Sequence, residues 1–345
     1  MTNLQILNDV DPTEWNNDVV RLNGCCFHSY EWSLFSSEGA NTKPLYFRLY
    51  NELNTLRSLA IGRLTTKNLA GIPVYKTFSL GCLPVSDSKS AFRVMVNEII
   101  SYCRKNHIVS LGIHSFGTPF GSEILQDQGF SVEKRWEFLL DIDSKEEEIW
   151  KKFDSKKRNK IRKALNTELR IEKGLSLDNV MQFRELALET QRRKREQGIS
   201  FPVADDTYYA LLKTKVIDPG LGRLYLAYDR ARPVAGAFFV GYNKSAYYML
   251  SSANDQGLKK AAPDLILWTC IRHYKGEGYK VFNFGGVSER ELKGQPLEKS
   301  GLYVFKKTFC TDVYPCYKGT IILRPINYKI YKLLKKSKSS LFKHG

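Results

Sequence analysis

A chain of 345 residues with 43% hydrophobic and 12% aromatic content can pack two cores of ordinary size, which excludes a disordered or low-complexity protein. A formal net charge of +17 favours polyanionic partners: nucleic acid, an anionic membrane surface or phosphorylated substrates. The seven cysteines are odd in number and form no CxxC paired with another CxxC or with a nearby HxxxH, so their spacing argues against a zinc site and for reduced, partly buried thiols.

The N-terminus MTNLQILNDVDPTEW has no basic stretch followed by an apolar one, and nowhere does the chain reach a run of about 18 apolar residues. The expectation is a cytoplasmic protein whose basic C-terminal tail can touch the inner face of an anionic membrane. KPLYFRLYNE and RSLAIGRLT read as a hairpin joined through NELNT. SDSKSAFRVMVNEIISYCRKN has helical spacing, with Ala91, Val94, Met95, Ile99 and Tyr102 on one face and Ser86 or Asp87 as the cap. IVSLGIHSF is a short strand, SEILQDQGF a short helix stopped by Gly129, and RWEFLLDID a strand.

The most charged segment follows. Residues 151–163 hold eight Lys or Arg and one Asp. They read as two helices broken near Asp154 and Ser155, with Arg158 and Arg162 on one face of the second and Ile161 and Leu165 on another. LDNVMQFRELALETQRRKREQG is a long helix ended by Gly198, and its far end, with Arg192 and Arg193, is again basic. DDTYYALLKTKV is a short capped helix carrying Tyr208 and Tyr209. From residue 222, GRLYLAYD, PVAGAFFVGY and SAYYMLSSA alternate as a three-stranded meander with tight turns. PDLILWTCIRHYKGEG is a helix with Pro263 in its first turn, YKVFNFGG a strand ending in a double glycine, residues 301–323 the last strand region, and INYKIYKLLKKSKSSLFKHG a basic amphipathic helix. The order of helices, meander, helix and strand occurs twice, more loosely in the first part, which points to a duplicated α/β unit.

The stretch SSANDQGLKKAAPDLILWTCIRHYKGEGYKVFNFGGV followed by GLYVFKKTF resembles the FemABX family, whose members use aminoacyl-tRNA to build peptidoglycan cross-bridges, and the wider Fem-like acyltransferases. The shared pattern is Ala-Pro-Asp with a Trp one turn on, Gly-Tyr, a strand end like FDFGG, Gly-Leu-Tyr and Phe-Lys, in that order within residues 251–309. FDSKKRNKIRKA is similar to the RxxIRKA segment of these enzymes. The resemblance implies an α/β fold of tandem GNAT-like domains, mixed sheets flanked by helices. The first would span residues 1–146, with a C-terminal helix over 325–345 packing back on it, and the second residues 147–324.

The sequence departs from the pattern in four places. Asn283 stands where the family usually has Asp, and Cys310 where a Gly commonly follows. No heptad-rich insertion provides a coiled-coil arm. QGLKKAA lacks the glycines of the pyrophosphate loop of CoA-using enzymes, which weighs against CoA as donor.

The resemblance implies that Lys306, with Phe305 and Tyr303 as packing neighbours, stabilises the transition state or the tRNA end, since a fixed cation beside a developing oxyanion lowers the barrier to acyl transfer. Lys307, on the opposite face of a strand, is expected to be solvated. Asp264 is a candidate base or substrate contact, and equally a first-turn carboxylate favoured by the helix dipole. Tyr208, Tyr209, Tyr247, Tyr248 and Trp268 are candidate substrate contacts, with core packing as their other reading. Arg158, Arg162, Lys163, Arg192 and Arg193 are candidates for tRNA phosphate contacts. The expectation is an amide-forming transferase with aminoacyl-tRNA as co-substrate, no metal or bound cofactor, and a UDP- or lipid-linked muropeptide or similar amine as acceptor. The alternative is acyl-CoA as donor to a sugar or metabolite amine.

Overall fold

The computed structural model describes residues 3–39, 41–69, 72–114, 122–289, 292, 294, 296–309 and 312–330. The chain forms two compact units, Met1–Arg135 with Cys316–Gly345, and Trp136–Pro315. The sequence had placed the boundary between residues 146 and 147.

In the first unit, β1 (Asn3–Leu7), α1 (Pro12–Arg21) and α2 (Tyr30–Ser36) precede the meander of β2 (Thr42–Tyr50), β3 (Leu56–Leu69) and β4 (Ile72–Leu80). The β2–β3 hairpin turns where Asn51 Oδ1 accepts hydrogen bonds from the amides of Leu53 and Thr55. After the short β5 (Val85–Ser86), α3 (Lys89–Lys105) crosses to β6 (Ile108–His114), which runs parallel to β4. The cap of α3 is Ser88, not Ser86 or Asp87: its side chain accepts from the amide of Ala91. One cap stabilises by about 1 kcal/mol. The buried face of Ala91, Phe92, Met95, Val96, Ile99, Ile100 and Cys103 outweighs it, since each large apolar side chain contributes about 1.5–3 kcal/mol. This face packs with Phe47, Phe78 and Leu111 of the sheet. The strand order is β1-β2-β3-β4-β6, β5 pairs with β3, and α4 (Ser122–Asp127) ends at Gly129 with φ +83°.

The second unit begins within β7 (Ser131–Asp141). It continues with α5 (Glu146–Lys152), α6 (Ser155–Leu165), β8 (Leu169–Gly174), α7 (Leu177–Glu196) and α8 (Asp206–Leu212). Asp154 caps α6 as expected from the break in the charged segment. Its apolar face differs from the expectation: Ile161 and Ala164 are buried, whereas Leu165 is exposed. The meander is β9 (Gly222–Asp229), β10 (Arg232–Tyr242) and β11 (Ser245–Ala253). Helices α9 (Asp255–Lys259) and α10 (Ala262–Gly276) then cross to β12 (Val281–Ser288), parallel to β11. The strand order is β7-β12-β11-β10-β9-β8. Phe239, Ile266, Phe282 and Phe284 lie at the centre of its core.

Residues 301–323 do not form one strand region. Gly301–Lys307 is a helix, α11, capped by Ser300, and the strand β13 is Asp312–Ile322. Its residues Lys318–Ile322 pair antiparallel with β6 in the first unit. Both units therefore repeat one plan: an antiparallel meander, a helical crossover and a strand parallel to the last meander strand. Residues 325–330 begin the expected C-terminal helix; residues 331–345, and Cys310, lie outside the described residues.

Candidate active site

β11 and β12 pair for only three residues, Ser245 to Tyr247 against Val281 to Asn283. Beyond Tyr247 and Asn283 the two parallel strands no longer pair, although β11 runs on to Ala253 and β12 to Ser288. Splayed parallel strands leave backbone amides and carbonyls open at their carboxyl ends, where open α/β sheets place ligands.

The NFGG sequence shapes this opening. Gly285 has φ +75°, a left-handed conformation natural to glycine. The Oδ1 of buried Asn283 accepts the Gly285 amide at 2.6 Å and so holds the turn. Asn therefore serves here as acceptor where the family usually has Asp. A Cβ at Gly285 would stand 3.4 Å from the Nζ of Lys306 and 3.7 Å from the Tyr248 carbonyl.

Lys306 is only 6% exposed. Its Nζ donates to the carbonyl oxygen of Gly286 at 2.9 Å and lies 5.9 Å from the centre of the Phe138 ring. A buried ammonium is costly unless hydrogen-bonded, so the carbonyl and the aromatic face hold it in place. The helix, rather than the expected strand, separates the two lysines: Lys306 faces inward from α11, and Lys307 is exposed. Tyr303, one turn earlier, packs edge-on against Phe138 at 5.4 Å.

A second buried lysine, Lys157, was not foreseen as a site residue. It is 4% exposed and pairs with Asp264 in the first turn of α10. Its ammonium lies 4.6 Å from the centre of the Phe305 ring and 4.2 Å from that of Phe309. Burial holds its pKa below the usual lysine range, and Asp264 pulls it partly back. The signal was present in the spacing: Lys157, Ile161 and Ala164 share one helical face, so Lys157 belongs to the buried stripe of α6. Asp264 is consequently engaged by Lys157, as a carboxylate held in a buried pair rather than a free base.

The remaining candidates divide. Tyr248 stacks on Phe239 at 5.5 Å, and burial pushes its phenol up to about 12. Tyr247 is buried at the last paired position of β11. Trp268 packs against Trp150 at 5.0 Å and Phe153 at 5.5 Å, within the aromatic core. Tyr208 and Tyr209 pack on each other, and Tyr209 on Phe183 of α7, so they belong to the α7–α8 contact. Arg158 donates to the carbonyls of Phe153 at 2.7 Å and Lys151 at 3.1 Å, closing the end of α5. Arg162 is exposed over the Trp150 ring, and Lys163 is exposed. Arg192 and Arg193 line a cleft of about 320 Å³ with Glu189, Glu196, Asn254 and Asp255. Arg193 is tied there to the Ala253 carbonyl at 2.8 Å and to Asp255. The structure thus brings Lys306, Phe305, Tyr303, Asp264 and Tyr248 to the strand opening and the adjoining Lys157 pair, with Tyr247 at the pair where the opening begins, and the other candidates to separate places.

The loop between β11 and α10 is closed on itself. It forms α9, in which Asn254 Oδ1 accepts the Gly257 amide at 2.9 Å and the amides of Leu258, Lys260 and Ala261 bond to carbonyls within the segment. A side chain at Gly257 would collide with the Val234 carbonyl, so this glycine serves packing.

Residues 151–296 match an acetyltransferase (GNAT) domain, and residues 75–215 match the FemAB family. No curated protein matches the chain in sequence. Among solved structures the chain is similar to FemX, at TM-score 0.76 and 14% identity over 94% of this chain and 99% of that one. It is also similar to the C-terminal domain of a putative lysylphosphatidylglycerol synthetase from Agrobacterium fabrum, at 0.56 and 14% over 90% and 91%. A tandem GNAT protein from the clavulanic acid biosynthesis pathway aligns at 0.55 and 11% over 93% and 99%. At such identities the likeness is one of fold. Among the described residues no helix is long and apolar enough to cross a membrane.

Proposed function

We propose that this chain, with its matches to a GNAT acetyltransferase domain and to the FemAB family and its FemX-like fold, transfers an aminoacyl group from a tRNA ester to an amine, with Lys306 as the cation beside the reacting carbonyl. The acceptor amine attacks the ester carbonyl carbon and a C–N bond forms. The tetrahedral oxyanion then collapses, the C–O bond to the terminal ribose breaks, and the proton lost by the amine balances the one gained by the departing hydroxyl. An ammonium fixed in a dry site stabilises the oxyanion far better than one in water.

The observation that carries the reading is the buried Lys306 ammonium, held at 2.9 Å on Gly286 where β11 and β12 part. The opening offers backbone groups to the acyl chain and the lysine to its carbonyl. The acceptor of this reading is a UDP- or lipid-linked muropeptide or a similar amine. The exposed Arg162 and Lys163 of α6 and Arg192 at the far end of α7 are the phosphate contacts of the tRNA, which the net charge of +17 suits.

The internally bonded α9 favours this donor over CoA. A pyrophosphate needs open amides, and those of Gly257, Leu258, Lys260 and Ala261 are already engaged. Thermal stabilisation by acetyl-CoA, by tRNA and by a UDP-linked muropeptide tests the reading. The expected result is a shift with tRNA and with the muropeptide. A shift with acetyl-CoA alone would overturn it in favour of a CoA-dependent N-acyltransferase.

A further inference from the structure

In the first unit, Cys25, His28 and Cys82 place one ligating atom each within 4.8 Å of the others. The Sγ atoms of Cys25 and Cys82 are 3.6 Å apart, and Cys25 Sγ lies 3.4 Å from His28 Nδ1. We propose that these three side chains form a binding site for one Zn²⁺ ion.

The two edges that meet at Cys25 Sγ have the lengths of a tetrahedron built around zinc, and the third lies within 4.8 Å. With Zn–S of about 2.3 Å and Zn–N of about 2.0–2.1 Å, the S···S edge is ~3.8 Å and the S···N edge ~3.5 Å. Both observed edges agree within about 0.2 Å, the tolerance appropriate to such a site.

The imidazole is set in the right tautomer. Its Nε2 lies 2.7 Å from the Leu83 carbonyl, which can only accept, so Nε2 carries the hydrogen and Nδ1 the lone pair; without an ion that lone pair accepts the Cys25 amide at 3.2 Å, a hydrogen bond that an ion at Nδ1 would replace. A backbone carbonyl on the second ring nitrogen is the usual support of a ligating histidine. The main chain is held too: the carbonyl of His28 accepts the Trp15 indole N–H at 2.7 Å. His28 and Cys82 are buried at 4% and 5% exposure, and Cys25 is half-buried, so Cys25 marks the side open to solvent.

Charge favours the same occupant. Two thiolates and a neutral imidazole cancel a divalent cation, which lowers the cost of holding it in a buried place. Three protein ligands leave a fourth position for water or another small donor. The ion would join the turn at residues 25–28 to Cys82, between β4 and β5. Local spacing argued against zinc because the third donor lies 57 residues beyond Cys25.

The test is a Co²⁺ titration of the full chain, reduced and desalted without oxygen. The proposal expects one equivalent taken up with thiolate-to-cobalt charge transfer and the intense visible bands of tetrahedral cobalt, then displaced by Zn²⁺. Cys25→Ala and His28→Gln should lose those bands, and Cys103→Ala, in the α3 core, should keep them. Circular dichroism checks that each variant folds. Absence of the bands in the reduced wild-type chain overturns the site without recourse to any variant. So does their persistence in folded Cys25→Ala. A Cys25–Cys82 disulfide in the isolated protein, with no cobalt uptake after reduction, assigns the pair to redox chemistry and equally overturns the site.

Discussion

Lys157 and Asp264, 107 residues apart in sequence, form a buried ion pair that ties α6 to the first turn of α10, under the rings of Phe305 and Phe309. The pair joins two segments that the sequence singled out separately, the RNKIRKA stretch and the Ala-Pro-Asp helix start. Desolvation of two charges roughly offsets their attraction, so the pair fixes geometry more than it adds stability.

Removing one partner leaves the other buried and unpaired. Lys157→Met alone should destabilise the fold by about 3–5 kcal/mol, and Lys157→Met with Asp264→Leu should recover most of that loss. Urea unfolding of the single and double variants measures the cycle. Losses that simply add would show that the two residues act independently.

Gly285 tests the positioning of Lys306. Alanine at φ +75° costs about 1–2 kcal/mol in backbone strain, and its Cβ would meet the lysine Nζ at 3.4 Å. Gly285→Ala should therefore lower kcat by about tenfold or more by straining the turn that carries Gly286, the partner of the ammonium, with a modest loss in Tm. Unchanged kcat would separate the glycine turn from the chemistry.

His114 in β6 carries a pH dependence of the first unit. Burial, then the cations Lys318, Arg135 and Arg63, push its imidazole down to about 4. Unfolded histidine binds a proton near pH ~6.5, so between there and about 4 the unfolded state holds more protons than the folded one. Stability should fall as pH drops through that window. His114→Gln should flatten that part of a Tm-against-pH series; an unchanged slope would assign it to other groups.

Much of the fold was legible in the sequence because it rests on local pattern. The strands β9, β10 and β11 are short runs rich in apolar and aromatic residues separated by tight turns, and Pro263 and Asp154 sit where helix starts need them. The GLYVFKK stretch was misread as leading into a strand. Its aromatic content favours strands, yet Ser300 accepts the Tyr303 amide and starts a helix that buries Lys306. Burial of a charge is invisible in sequence when its partner is distant, as Asp264 is from Lys157. The same holds for Arg158, whose partners are the carbonyls of Phe153 and Lys151. Trp268 shows the converse: the motif marked it, and packing accounts for it in the aromatic core.

Lys306→Met keeps an unbranched side chain but removes the charge. Transfer of a labelled amino acid from charged tRNA to a muropeptide amine, followed by mass analysis across a panel of charged tRNAs and acyl-CoAs, reads the effect most directly. The wild-type chain should form a new amide from an aminoacyl-tRNA, and folded Lys306→Met should do so at a rate about 10²–10³ lower. Product formed only from an acyl-CoA, or a Lys306→Met rate within a few-fold of wild type, would contradict this mechanism.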